Sequence, residues 1–191
     1  PIYEELGNKS VMIISHRYSP DLKYLEKESG IFNVGMLIFK NDENGLTVLK
    51  WWREKCLEWC YDRYDNGRYG DQMYLNDWPT RFPGVHVLQN KGAGLAPWNI
   101  AQYNIMVSDQ KILVDDEPLI FYHFHALAIY RDLTFKTHKL LYRISGRKRQ
   151  LIYEPYLKAL LAAIGQVRAV DPNFDYGMNL KPNFIRRVHS K

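Results

Sequence analysis

The stretch IFNVGMLIFKND, residues Ile31–Asp42, decides the reading of the fold. Seven of its first nine residues are apolar, which predicts a buried strand. Yet Asn33 sits at its mouth and Gly35 two residues on. An amide at a strand mouth can donate to and accept from a polyhydroxyl ligand. A glycine removes a side chain where a second backbone or a ligand must come close. Two readings stand side by side. Asn33 either ends the preceding loop or faces a ligand, and Gly35 either packs under an aromatic ring or makes room for a bound molecule.

Working outward, SVMIIS (Ser10–Ser15) is a second short apolar strand. Pro20 breaks the polar loop between the two strands. Asn41 or Asp42 is a candidate helix N-cap. Beyond it Leu46, Leu49, Trp52, Cys56, Trp59 and Cys60 recur at helical spacing, which predicts an amphipathic helix to about Tyr64. GDQMYLNDWP (Gly70–Pro79) reads as a short helix ended by proline. GVHVLQ, YNIMVS, KILV and PLIFYHFHAL read as strands, and KGAGLAPWNI as a glycine-rich loop carrying Trp98. Strands alternating with helices predict an α/β fold, a mixed sheet with flanking helices. EPYLKALLAAIG is a further helix, with Pro155 suited to its first turn.

The 191 residues are 46% hydrophobic and 25% charged, ordinary for a globular protein. The charge is divided. Residues 1–130 hold 13 basic against 17 acidic residues, a net of −4; residues 131–191 hold 13 against 4, a net of +9, together the +5 of the chain. The composition shift predicts a core domain over 1–130 and a basic extension over 131–191, suited to anionic lipid, nucleic acid or another polyanion. No apolar run approaches the ~20 residues that span a bilayer, and the opening residues carry no secretory pattern. Cys56 and Cys60 read as plain thiols of a reducing, cytoplasmic compartment. Pro1 in place of Met suggests a processed or partial chain.

Asp71 and Gln72 open a predicted helix. Asp71 is either a charge favoured by the helix dipole or, with Gln72, a binder of hydroxyl groups. His123 and His125 lie two apart on a predicted strand, hence on one face. They are either structural or metal ligands. The glycines of KGAGLAPWN lack the spacing of a phosphate-binding loop and serve equally as a turn that seats Trp98.

Taken in order, FNVG (Phe32–Gly35), DQMYLN (Asp71–Asn76) and HFH (His123–His125) resemble the C-terminal half of nucleotide-sugar glycosyltransferases of the GT-A fold, and GLAPWN (Gly94–Asn99) is similar to a loop of bacterial members. The resemblance covers roughly residues 1–130. It implies transfer of a sugar from a nucleotide-diphospho-sugar donor to an acceptor, a saccharide or lipid-linked molecule of bacterial polysaccharide synthesis. It implies that Asn33 and Gly35 contact the donor sugar, that Asp71 with Gln72 holds the sugar and that Asp71 is the catalytic carboxylate. It implies that His123 ligates a divalent cation, Mn²⁺ or Mg²⁺, that neutralises the leaving nucleoside diphosphate. Val34 departs from the small residue usual between Asn and Gly, and no K-P-W follows Ala126. The D-x-D motif and the nucleotide-binding half that carries it do not occur in the sequence. The chain alone is therefore expected to be inactive, and strands Val11–Ile14 and Val34–Phe39, left uncovered, to drive homo-oligomers.

Other classes compete. The alternative function is a non-catalytic saccharide-binding or structural α/β domain. Tyr130, Phe135, Tyr142 and Tyr153, interleaved with basic residues, are the ingredients of single-strand nucleic-acid binding, though no recognition motif accompanies them. The helix containing Tyr156, Leu157, Leu160, Leu161 and Ile164 is basic and amphipathic. It is expected either to lie on an anionic membrane, placing the protein peripherally on the inner membrane, or to pack its stripe on the core.

Overall fold

The computed structural model describes residues 1–181. The chain divides into two compact units, Pro1–His123 and Phe124–Lys191, so the structural boundary falls earlier than the charge boundary at residue 130.

The first unit runs α1 (Ile2–Leu6), β1 (Val11–Ser15), α2 (Glu26–Ser29), β2 (Phe32–Phe39), α3 (Glu43–Glu58), α4 (Trp78–Arg81), β3 (Val85–Val87), β4 (Ala93–Leu95), β5 (Ile105–Ser108), β6 (Lys111–Val114), β7 (Glu117–Pro118) and β8 (Phe121–Tyr122). The expected mixed α/β organisation is present, but not as one large sheet. The central sheet has the order β2-β1-β3, β1 being antiparallel to β2 and parallel to β3. The parallel pair β4-β8 and the antiparallel β5-β6-β7 form separate small sheets. Positive φ at Asp109, Gln110 and Asp115 closes the two tight turns of the latter.

β1 is the middle strand and is buried on both faces, which is why VMII is continuously apolar rather than alternating. Val11 and Ile13 pack with Phe32, Val48, Leu75 and Trp78 on the α3 side; Met12 and Ile14 pack with Leu6, Leu88 and Ala93 on the other. The expectation that Val11–Ile14 lies uncovered is therefore corrected: β3 and both core layers cover it.

α3 forms as its periodicity requires. The Asp42 side chain accepts the Gly45 N–H at 2.8 Å as N-cap, and its other oxygen accepts the Ser10 hydroxyl at 3.0 Å. Trp52 stacks on Phe39 and meets Trp78 edge-on. The helix ends at Glu58 rather than near Tyr64. Trp59 turns extended and buries its ring under the Arg68 guanidinium, 4.8 Å away, while its carbonyl accepts the Tyr74 hydroxyl. The helix expected over Gly70–Pro79 is a 3₁₀ turn over Met73–Asp77, and Pro79 does not end it but occupies the first turn of α4.

The second unit holds β9 (Ala128–Ile129) and β10 (Phe135–Lys136), antiparallel, and α5 (Gly146–Val170). Ser145 caps α5 by accepting the Lys148 N–H. Pro155 lies inside this helix, not in its first turn, because the basic stretch from Gly146 is already helical. The apolar face of α5 turns inward at Ile152, Tyr153 and Ile164, with Phe124 edge-on to Tyr153.

Because one Asp42 carboxylate ties α3 to the start of β1, Asp42→Ala should cost about 1–2 kcal/mol. Urea denaturation checks this, with Ser10→Ala expected to cost less.

Candidate functional site

The site begins at a bulge. Met12 pairs with Ile38 whereas Ile14 pairs with Asn33, so β2 spends more residues than β1 over the same span. The excess falls at Val34–Leu37 and includes Gly35. The Asn33 side-chain oxygen accepts the Gly35 N–H at 2.9 Å and fixes the bend. Asn33 is 5% exposed, and among the described residues its amide nitrogen donates to no protein group. Its place beside Ile14 puts it on the sheet face opposite α3.

His123 fills the space above Gly35. A Cβ built at residue 35 would lie 2.5 Å from His123 Nδ1 and 2.8 Å from Asn33 Oδ1, so only glycine admits the imidazole. The His123 N–H donates to the Leu95 carbonyl at 2.7 Å, and its ring lies 5.1 Å from that of Trp98. Burial holds the His123 imidazole below the usual histidine pKa, so it is neutral near pH 7.

The GLAPWN loop is the wall behind this cluster. Trp98 Nε1 and the Asn99 amide both donate to the His16 carbonyl, at 2.8 and 2.9 Å, and Asn99 also accepts the Ala96 N–H. The His16 ring stacks on Tyr18 and lies edge-on to Trp98. Gly94 has φ +80°, and a Cβ there would collide with Ile14 Cδ1. Close packing against Ile14 thus accounts for the glycine at position 94. The loop is a clamp that fixes Trp98, and through Leu95 it fixes His123. No local period marks His16 and Tyr18 in the sequence, and Asn99 stands there only as the last residue of the GLAPWN loop.

The structure brings Asn33, Gly35 and His123 together. It does not bring Asp71 and Gln72 into that cluster. The Asp71 carbonyl accepts Trp52 Nε1 at 2.9 Å, and the residue lines a groove of about 860 Å³ with Leu46, Leu49, Trp52, Cys56 and Leu57 on the α3 side. The Cys56 thiol there is pushed up to about 12 by burial, then by Cys60 and Asp71, so it is no thiolate. The Gln72 amide donates to the Ser29 carbonyl at 2.6 Å, and Asn76 accepts the Ile31 N–H at 2.9 Å. These two side chains hold the segment that leads into β2, one step removed from Asn33.

The expected strand through HFH stops at Tyr122. His123 closes the first unit, while His125 belongs to the second and lies edge-on to Tyr142. Among the described residues no group of three or more His, Cys, Asp or Glu side chains could share a metal ion. One neutral imidazole does not fit a hard cation that prefers several oxygen ligands.

The chain is similar to two proteins of Bacillus subtilis (strain 168). It is 34% identical over 179 residues to the uncharacterized protein YfnD, across 92% of this chain and 57% of that protein. It is 30% identical over 182 residues to the uncharacterized protein YfnF, across 92% of this chain and 59% of that protein. The chain thus spans less than two thirds of the length of these relatives. No family model and no solved structure matches it.

Two outcomes are expected. Gly35→Ala displaces His123 or the Asn33 bend and costs about 1–3 kcal/mol, read by denaturation together with a shift of the His123 ring resonances. The depressed His123 pKa favours the neutral form in the folded state. Its contribution to stability is full above about pH 6.5, the ordinary histidine value, and is lost as pH falls through the folded value. Melting curves of His123→Gln should be flatter than wild type across that window.

Proposed function

We propose that residues 1–123 are the sugar-binding part of a GT-A-like nucleotide-sugar glycosyltransferase. The observation that carries the reading is the meeting of Asn33, Gly35 and His123 at one bulge, in the order F-N-x-G, D-Q-x-x-L-N, H-F-H. On this reading the Asn33 amide nitrogen, its oxygen already held by Gly35, donates to a donor-sugar hydroxyl. His123 presents a neutral imidazole to the diphosphate side. The bulge at Gly35 is what lets the His123 imidazole come against the Asn33 amide.

Gln72 and Asn76 act at one remove, by fixing the entry to β2. Asp71, which the resemblance makes the catalytic carboxylate, lies on the α3 side away from Asn33 and His123, so it has no role at the sugar in this reading. A divalent cation, Mn²⁺ or Mg²⁺, would supply Lewis-acid help to the departing nucleoside diphosphate. It would need oxygen ligands beyond the described residues. The donor is a nucleotide-diphospho-sugar and the acceptor a saccharide or lipid-linked molecule, on the cytoplasmic side of a bacterial membrane. A second reading, saccharide recognition without turnover, rests on the same cluster and differs in releasing no nucleoside diphosphate.

Saturation-transfer NMR of the 191-residue chain against a panel of nucleoside diphospho-sugars tests this. Sugar-ring protons of at least one donor should respond, and Asn33→Ala should weaken binding at least about tenfold. A panel with no responding sugar, or a response that Asn33→Ala leaves unchanged, contradicts the proposal.

A further inference from the structure

The second unit carries a surface that the sugar site does not use. Over residues 133–153 there are six cations, Lys136, Lys139, Arg143, Arg147, Lys148 and Arg149, and no acidic residue. Five of the six are exposed, Lys148 being half-buried. Among the described residues, Lys136, Lys139, Arg143, Arg147 and Arg149 belong to no ion pair. In their midst is a turn closed by the Tyr142 N–H donating to the Lys139 carbonyl at 3.0 Å. At its tip Leu140 is 100% exposed and Leu141 46% exposed. Tyr142 is buried and edge-on to His125, which anchors the turn beneath the tip.

The cations are badly placed for the fold's own benefit. Arg147, Lys148 and Arg149 occupy the first turn of α5, which holds no acidic residue. Cations there oppose the positive end of the helix dipole. Free N–H groups and cations at one helix terminus suit an external phosphate. An aliphatic tip ringed by cations suits a bilayer whose headgroups are anionic, the leucines entering the acyl boundary and the cations meeting phosphates.

We propose that the Lys139–Arg149 segment docks the protein on an anionic membrane surface, with Leu140 and Leu141 inserted and Lys139, Arg143, Arg147 and Arg149 on the headgroups. The expected stripe of α5 presents no single face, Tyr156 and Leu161 being exposed, Leu157 and Leu160 half-buried and Ile164 buried, and the membrane contact is placed instead on the turn before it. Nucleic acid is the weaker match. Single-strand binding needs exposed aromatic faces, but of the interleaved aromatics Tyr142 and Tyr153 are buried, Tyr130 and Phe135 are half-buried, and the exposed tip is aliphatic. The inference is independent of the sugar site.

The test is co-sedimentation of the 191-residue chain with vesicles of phosphatidylcholine alone and of phosphatidylcholine with phosphatidylglycerol. Binding is expected on the anionic vesicles and to be weak on the neutral ones, falling as salt rises. Leu140→Ser with Leu141→Ser should weaken anionic binding about tenfold or more, with an unchanged melting curve since both side chains are exposed. Arg143→Glu with Arg147→Glu and Arg149→Glu should weaken it by about a hundredfold, each cation near the surface contributing about fivefold. Equal binding to both vesicles, no binding at low salt, or leucine variants that bind as wild type would overturn the proposal. So would a single-stranded oligonucleotide shift that the arginine variant abolishes and the leucine variant keeps, accompanied by no vesicle binding.

Discussion

Gly35 lacks a side chain, and His123 occupies the space a side chain would need. Most of what gives the first unit a candidate site follows from that approach. It requires β2 to bulge away from β1, and the bulge is held by Asn33 turning its oxygen back onto Gly35. It requires His123 to be delivered from a distant part of the chain, which the Leu95 carbonyl and the Trp98 ring accomplish. It also removes water from the imidazole, whose pKa falls for that reason. A residue that weakens an ordinary strand is here the residue that lets two remote segments meet.

The support behind the cluster is polar and layered. Asn99 uses its amide on three backbone groups, at Ala96, His16 and Gly94, and is wholly buried. A buried amide this fully paired locks its loop into one arrangement. Gln72 and Asn76 do the same for residues 29–31 on the approach to β2. The D-Q-x-x-L-N motif thereby gains a structural explanation for two of its polar residues. Asp71 is different: its carbonyl is used by Trp52, and its carboxylate stands beside the α3 groove and Cys56.

What was legible in the sequence was what depends on local period. The continuous apolar run of β1, a second strand over Val34–Phe39 and a helix capped at Asn41 or Asp42 could be read from spacing, because burial in a sheet or against a helix imposes that spacing; β2 itself starts at Phe32, and the cap is Asp42. The end of α3 could not, since Trp59 leaves the helix for a contact with Arg68 and Tyr74 far along the chain. PLIFYHFHAL looked like one strand because it is apolar throughout; the chain instead leaves the sheet after Tyr122, and Ala126 takes a left-handed φ of 62°. At the site, Asn33, Gly35 and His123 were visible as odd residues in apolar surroundings. His16 and Tyr18 were not, because their ring contacts run to Trp98, about 80 residues along the chain, and the buried role of Asn99 depends on the His16 carbonyl equally far away. The basic character of the last third was plain from composition, but the leucine pair at its exposed turn acquires meaning only once Tyr142 is seen to be buried beneath it.

The central claim is that a sugar binds where Asn33, Gly35 and His123 meet. The most direct measurement is a two-dimensional NMR titration of the chain with a nucleoside diphospho-sugar, following the Asn33 side-chain NH₂ pair, the Gly35 amide and the His123 ring together. The account predicts that these three respond in concert and saturate at one ligand concentration. Shifts confined to Leu46, Trp52, Leu57 and Asp71, with Asn33 and His123 unmoved, would place the ligand in the α3 groove and contradict it.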